Sequence, residues 1–225
     1  MSSYKERQDT NFVPSSKPFV MNNIIKSSLE NSMSYEAYRS LMLKLVEQES
    51  ATGVDKSADK IDFTKLNNRR MKRWDKTLKI DNKSKKRLLD FNANVTWLVI
   101  TESWCGDAAH VLPVLNKIAE LNPKITMRVV LRDDNLELMD MFLTDGNRAI
   151  PKLIMIDNET GAVLDTYGPR PSEATYYVKR FKAENGKLTP EFKEDLQHWY
   201  NKDKGNTIID DIAEMLSRFQ PSFSQ

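Results

Sequence analysis

Cysteine is almost absent from this chain of 225 residues, which has Cys105 and no other. One cysteine excludes an internal disulfide framework. Histidine is nearly as scarce, with His110 and His198 alone, so no Cys/His cluster has the spacing of a zinc site. The seven glycines form no phosphate-binding loop and no G-x-S-x-G elbow. No apolar run approaches the roughly 18–20 residues that a membrane span requires. The opening MSSYKERQDTNF is polar and charged and lacks the apolar centre of a signal peptide. Together these absences lead us to expect a water-soluble protein of the cytoplasm.

What is present suffices for a core, since 40% of the residues are hydrophobic and 29% are charged. The most informative stretch is VTWLVITESWCGDAAHVLPVLNKIAE, residues 95–120. Residues 95–101 are β-branched and apolar without alternation, the pattern of a strand covered on both faces. Residues 108–120 place Val111, Leu112, Leu115, Ile118 and Ala119 on one helical face. Cys105 lies in the turn between them. The free N–H groups and the dipole of a helix N-terminus favour an anion, so this position predicts an exposed thiol with a lowered pKa. Asp107 in the first turn opposes the thiolate, so the lowering is expected to be moderate.

The motif Trp104-Cys105-Gly106-Asp107-Ala108 resembles the thioredoxin site W-C-G-x-C, with alanine in place of the second cysteine. Pro113 stands where thioredoxins kink this helix, and Ala149-Ile150-Pro151-Lys152-Leu153 is similar to their cis-proline segment. The resemblance runs over roughly residues 95–182. It extends to larger bacterial thioredoxin-like proteins that carry a helical N-terminal segment and a W-C-G-D-[AC] motif. It implies a thioredoxin-like α/β fold with a central mixed sheet. It also implies a cis peptide bond at Pro151, a groove in which Ile150 pairs with a peptide or a glutathione-like ligand, and Trp104 covering one side of the sulfur. Without a second cysteine at position 108, a mixed disulfide on Cys105 must be released by an outside thiol. The expected role is therefore monothiol redox or thiol exchange in cell redox homeostasis, with glutathione or another small thiol as co-reactant. The alternative is a non-catalytic module that binds a protein or peptide.

The rest of the chain reads in order. Residues 1–32, with Pro14, Pro18 and many Ser and Asn, are expected to form an extended or disordered arm. Residues 33–92 form a helical segment, with helices over 34–49 (Ser34 as N-cap), 62–80 and 84–91. Residues 93–184 form the thioredoxin-like domain in the order β-α-β-α-β-β-α, its first two strands parallel. Its second strand is 125–131, followed by a helix over 136–143. A hairpin turns at Gly161, and Ser172 is expected to cap the next helix. Residues 185–225 form C-terminal helices, one opening at Thr189-Pro190 and one near Asn206, with a frayed end from Phe219.

Charge is unevenly spread. Residues 60–87, from Lys60 to Arg87, hold twelve Lys or Arg against three Asp, a local balance of +9 in a chain of net +2. The remainder therefore sums to −7. We read this segment as a solvated face, or one docked on the chain's own acidic surface, in preference to a nucleic-acid interface. His110 is read as a surface or core residue, not a catalytic base. Asp107, Asp133 and Asp134 are read as cap and turn residues, and no metal site is expected.

Overall fold

The computed structural model describes residues 23–219. Four strands form one sheet: β1 (Val95–Thr101), β2 (Ile125–Leu131), β3 (Lys152–Asp157) and β4 (Val163–Tyr167). The order is β2-β1-β3-β4, with β1 and β2 parallel and the other pairs antiparallel. The unbroken apolar run of β1 therefore lies inside the sheet, where Val95 and Trp97–Ile100 are fully buried. This is the thioredoxin-like α/β architecture that the residues imply.

Helix α5 (Ala108–Leu121) crosses from β1 to β2, and α6 (Leu136–Met141) follows β2. Helix α7 (Ser172–Asn185) follows the β3–β4 hairpin. Its N-cap is Pro171, not Ser172 as expected; Ser172 is the first helical residue, and its hydroxyl is turned to Asp211 instead of capping. The N–H and hydroxyl of Ser172 both donate to Asp211. The N-terminal part supplies α2 (Tyr35–Glu47), α3 (Ala58–Thr77) and α4 (Asn82–Leu89). Ser34 caps α2 as expected, its hydroxyl accepting from Ala37 N–H. Helix α3 starts a turn earlier than its apolar pattern indicates.

The expected arm is corrected in part. Asn23–Glu30 is a helix, α1, anchored by fully buried Ile25 and by Ser28, which donates to Asn135. Eight residues with two buried positions show too little periodicity to be read from sequence. Residues 1–22 lie outside the described residues. After α1, Met33 exchanges two backbone hydrogen bonds with Val129, which shields the open edge of β2.

Helices α8 (Pro190–Asp203) and α9 (Asn206–Ser217) close the chain. Proline occupies the first turn of α8, and Thr189 accepts from Phe192 N–H. Helix α9 buries Ile208, Ile209, Ile212 and Leu216 in the main core, whereas α7 and α8 share a smaller cluster around Phe192 and Leu196. Phe219 packs partly against the main core, and residues 220–225 lie outside the described residues.

Candidate functional site

Strand β1 ends at Thr101, and the turn Glu102–Asp107 carries the chain into α5. Cys105 N–H donates to Glu102 C=O (3.1 Å), which tightens this turn and sets the thiol at the helix start. The Ile150–Pro151 bond is cis, with both residues buried against the turn. A second cis bond joins Gly168 to Pro169.

The thiol is not presented to solvent. Cys105 is only 8% exposed. Its Sγ donates to Ile150 C=O (3.3 Å) and receives Ala108 N–H (3.5 Å). The Ile150 carbonyl, part of the backbone that the resemblance assigns to a bound peptide, accepts the thiol here. Burial, reinforced by the charge of Asp107, pushes the thiol up to about 12, against the pull of Ala108 N–H and Arg170. This overturns the expected exposed, low-pKa thiolate. The N–H group is where the helix-start argument puts it, but desolvation is the stronger effect.

Asp107 stands at the N-cap of α5 without capping it. Its carboxylate turns sideways, accepting from Tyr200 Oη (3.0 Å) and pairing with Arg170 Nη2 (2.7 Å). Burial raises its pKa while Arg170 and Tyr200 hold it down. Arg170 comes from the segment after β4 and Tyr200 from α8, so the C-terminal region reaches directly into the motif.

His110 lies in the first turn of α5 and is 1% exposed. Trp74 Nε1–H donates to its Nδ1 (2.9 Å), so the ring proton sits on Nε2 and goes to Gln197 Oε1 (2.7 Å). Tyr200 stacks on the ring at 4.2 Å, the two planes nearly parallel. Burial pushes the imidazole down to about 3. Both nitrogens are engaged away from the sulfur, which makes His110 a core residue.

The N-terminal helices hold the turn through Ser103. Its Oγ receives Thr52 N–H (2.9 Å) and shares a 2.7 Å hydrogen bond with Thr64 Oγ1. Its N–H donates to Thr52 Oγ1 (2.8 Å), and its C=O accepts from Asn67 Nδ2 (2.9 Å). All four bonds are buried. The sequence gives no periodic signal for this hub, because its members lie 36 to 51 residues apart in the chain. Above the turn, a Cβ built on Gly106 would lie 3.8 Å from both Arg70 Nη1 and Gln197 Nε2. Helices α3 and α8 therefore flank the motif from both sides.

Trp104 is partly exposed. Lys60 Nζ sits 4.2 Å from its ring centroid and the Arg132 guanidinium 4.9 Å. Glu102, fully buried, accepts Asp133 N–H at Oε1 (2.8 Å), and its pKa is raised by burial. Among the described residues, no group of three or more His, Cys, Asp or Glu could hold a metal. No helix there is long and apolar enough to cross a membrane.

A family model described as thioredoxin matches residues 53–182, more than half of the chain. The chain belongs to this thioredoxin family. The match reaches back over α3 and α4, which the motif resemblance left outside. No curated protein matches the chain. Among solved structures, a protein of unknown function from Pseudomonas aeruginosa superposes with a TM-score of 0.59 at 15% identity, covering 86% of this chain and 96% of its own. An HIV epitope-scaffold superposes with a TM-score of 0.52 at 16% identity, covering 83% of this chain and 99% of its own. At these identities the likeness is one of fold.

Proposed function

We infer that this chain is a thioredoxin-fold binding module whose thiol is silent in the resting protein, and that it does not act as a thiol–disulfide oxidoreductase. The burial of Cys105, with its sulfur bonded internally to Ile150 and Ala108, carries this reading. A thiol pushed up to about 12 holds almost no thiolate at neutral pH. Trp104, ringed by Lys60 and Arg132, offers a partner an aromatic and cationic contact beside the motif. Protein or peptide is the partner class. A single free cysteine fits a reducing compartment such as the cytoplasm.

The test is the rate of Cys105 alkylation by iodoacetamide against pH, with Cys105→Ser as blank. Slow reaction with a midpoint above the unperturbed value of about 8.5 is expected. Partner capture should survive Cys105→Ser. Fast alkylation with a midpoint below that value overturns the reading.

A second reading is monothiol exchange, favoured by the Ala108 N–H aimed at the sulfur. In it, the Cys105 thiolate attacks a client disulfide and expels one client thiolate. Glutathione or another small thiol then attacks the mixed disulfide and frees Cys105. Mass spectrometry under mild glutathione-disulfide stress decides it, since an adduct confined to Cys105 supports exchange and its absence removes it.

A further inference from the structure

The basic segment is not absorbed by the site. Helix α3 buries Thr64, Asn67, Met71 and Trp74, a 3-4-3 spacing that defines its inner face. Lys65, Arg69, Lys72 and Lys76 recur at 4-3-4 spacing on the opposite side. They span about 16 Å of helix at 1.5 Å per residue. Of these, Lys65 pairs with Glu49 (2.9 Å). Arg69, Lys72 and Lys76 are exposed and have no acidic partner among the described residues, and the same holds for Lys79 just past the helix. Lys83, Lys85 and Lys86 continue the run exposed on α4, and Lys85 lines one cleft with Lys79 and the Lys117–Glu120 pair.

Of the segment's three Asp, Asp62 acts on Lys65 at the start of the row, and the other two leave the rest of its charge largely uncompensated. Asp75 is taken by Arg39 (3.0 Å) and Tyr35 (2.6 Å). Asp81 caps α4 through Lys83 N–H, Ser84 N–H and the Ser84 hydroxyl. Lys60, Lys65 and Arg87 do reach Asp55, Glu49 and Asp210, so docking on the chain's own acids accounts for part of the segment. The remaining cations crowd one another, and Arg69 and Arg73 add to burial in lowering the Arg70 guanidinium pKa. Like charges held together on a rigid helix are a cost that an anionic partner offsets.

The composition of the face selects the partner. It is lysine-rich, and its only tryptophan, Trp74, is 5% exposed and turned inward. Protein interfaces deplete lysine and centre on aromatic anchors. Single-strand platforms need exposed rings for stacking. Phe63, the exposed ring of α3, lies on another side of the helix from this row, and a linear row of point charges without a ring beside it matches evenly spaced phosphates. We propose that the exposed face of α3, continued into α4, binds the phosphate backbone of a nucleic-acid duplex without reading its sequence.

Fluorescence anisotropy of the full chain with a labelled 20-base-pair DNA duplex, and separately an RNA duplex of the same length, tests this. Four phosphate contacts give log K against log salt a slope of about −4 for DNA. Charge reversal at Arg69, Lys72, Lys76 and Lys79 to Glu should weaken binding more than tenfold and flatten that slope. A control reversing Lys179, Lys182, Lys187 and Lys193, exposed on α7, α8 and the connection between them, carries the same net charge and should bind nearly as the parent. Circular dichroism checks that both sets fold. Binding to either duplex with this pattern supports the proposal. No binding to either at 25 mM salt overturns it, as does equal loss in the control. So does tighter binding of polyglutamate than of either duplex at matched charge, which would assign the face to acidic protein.

Discussion

Acid should unfold this protein through His110, and the size of the effect follows from the site. The imidazole is buried, accepts a hydrogen bond from Trp74 at Nδ1 and gives one to Gln197 from Nε2. Adding a proton would remove the acceptor that Trp74 needs and place a charge among apolar neighbours. Its folded pKa of about 3 stands against an ordinary value of 6.5. Because the folded value is depressed, the contribution is fully present above pH 6.5. It is lost as pH falls from there toward 3, since the unfolded chain takes up the proton first. The slope approaches 1.4 kcal/mol per pH unit. By pH 4.5, two units below the ordinary value, about 2.7 kcal/mol is gone.

Other buried groups act in the opposite sense. Glu102, Asp107 and Asp211 have raised folded pKa values, so acidification stabilises the folded chain through them. The total pH profile therefore mixes both signs, and the difference between parent and His110→Gln isolates the histidine. Urea melts from pH 7.5 to 4.5 measure that difference at constant m. The gap between the two proteins should shrink by about 2.7 kcal/mol on going to pH 4.5. A gap that stays flat with pH would refute the buried, neutral imidazole.

Three further outcomes are expected. Asp107→Asn removes the charge that helps raise the Cys105 thiol, so the alkylation midpoint should fall, and breaking the pair with Arg170 should cost roughly 3–5 kcal/mol of stability; a midpoint unchanged or higher would contradict the assignment. Ser103→Ala strips the hub that ties Thr52 and Thr64 to the turn, costing about 1–3 kcal/mol and speeding native-state alkylation of Cys105; lower stability with no change in that rate would mean the hub does not hold the cover. Gly168→Ala drives a Cβ to 2.3 Å from Pro151 C=O at φ +109°, so a thermal melt should show a loss of about 2–4 kcal/mol, against about 1 kcal/mol for Gly146→Ala, where nothing lies within 4 Å; equal losses would show that the close approach is relieved at no cost.

The elements were legible wherever a short window carries the signal. The apolar run of β1, the Ser34 cap, the Thr189-Pro190 start and the hairpin at Gly161 each depend on residues a few positions apart, and each stands in the structure. The order of the elements with one proline motif was enough to indicate the sheet. Helix α1 was too short to show a period. The start of α3 was hidden because its first turn, with Asp59 and Lys60, buries nothing large. In the site, Cys105, Asp107 and Pro151 were visible as a motif. Arg170, Gln197, Tyr200 and the Ser103 hub were not, because each meets the turn from a distant segment with no pattern of its own.

That division explains why the thiol departs from what the motif implies. A helix start is a local feature, and its field stabilises an anion by about 0.3–1 kcal/mol, up to about 2 in partly buried settings. Burial is a tertiary feature. Raising the thiol from 9.0 to about 12 corresponds to about 4 kcal/mol against the thiolate. The larger effect comes from burial, with the sulfur held against Ile150 C=O, a segment that W-C-G-D-A alone does not place. Reactivity at Cys105 thus depends on whether its burial against Ile150 is relieved, a tertiary property that a five-residue motif does not carry.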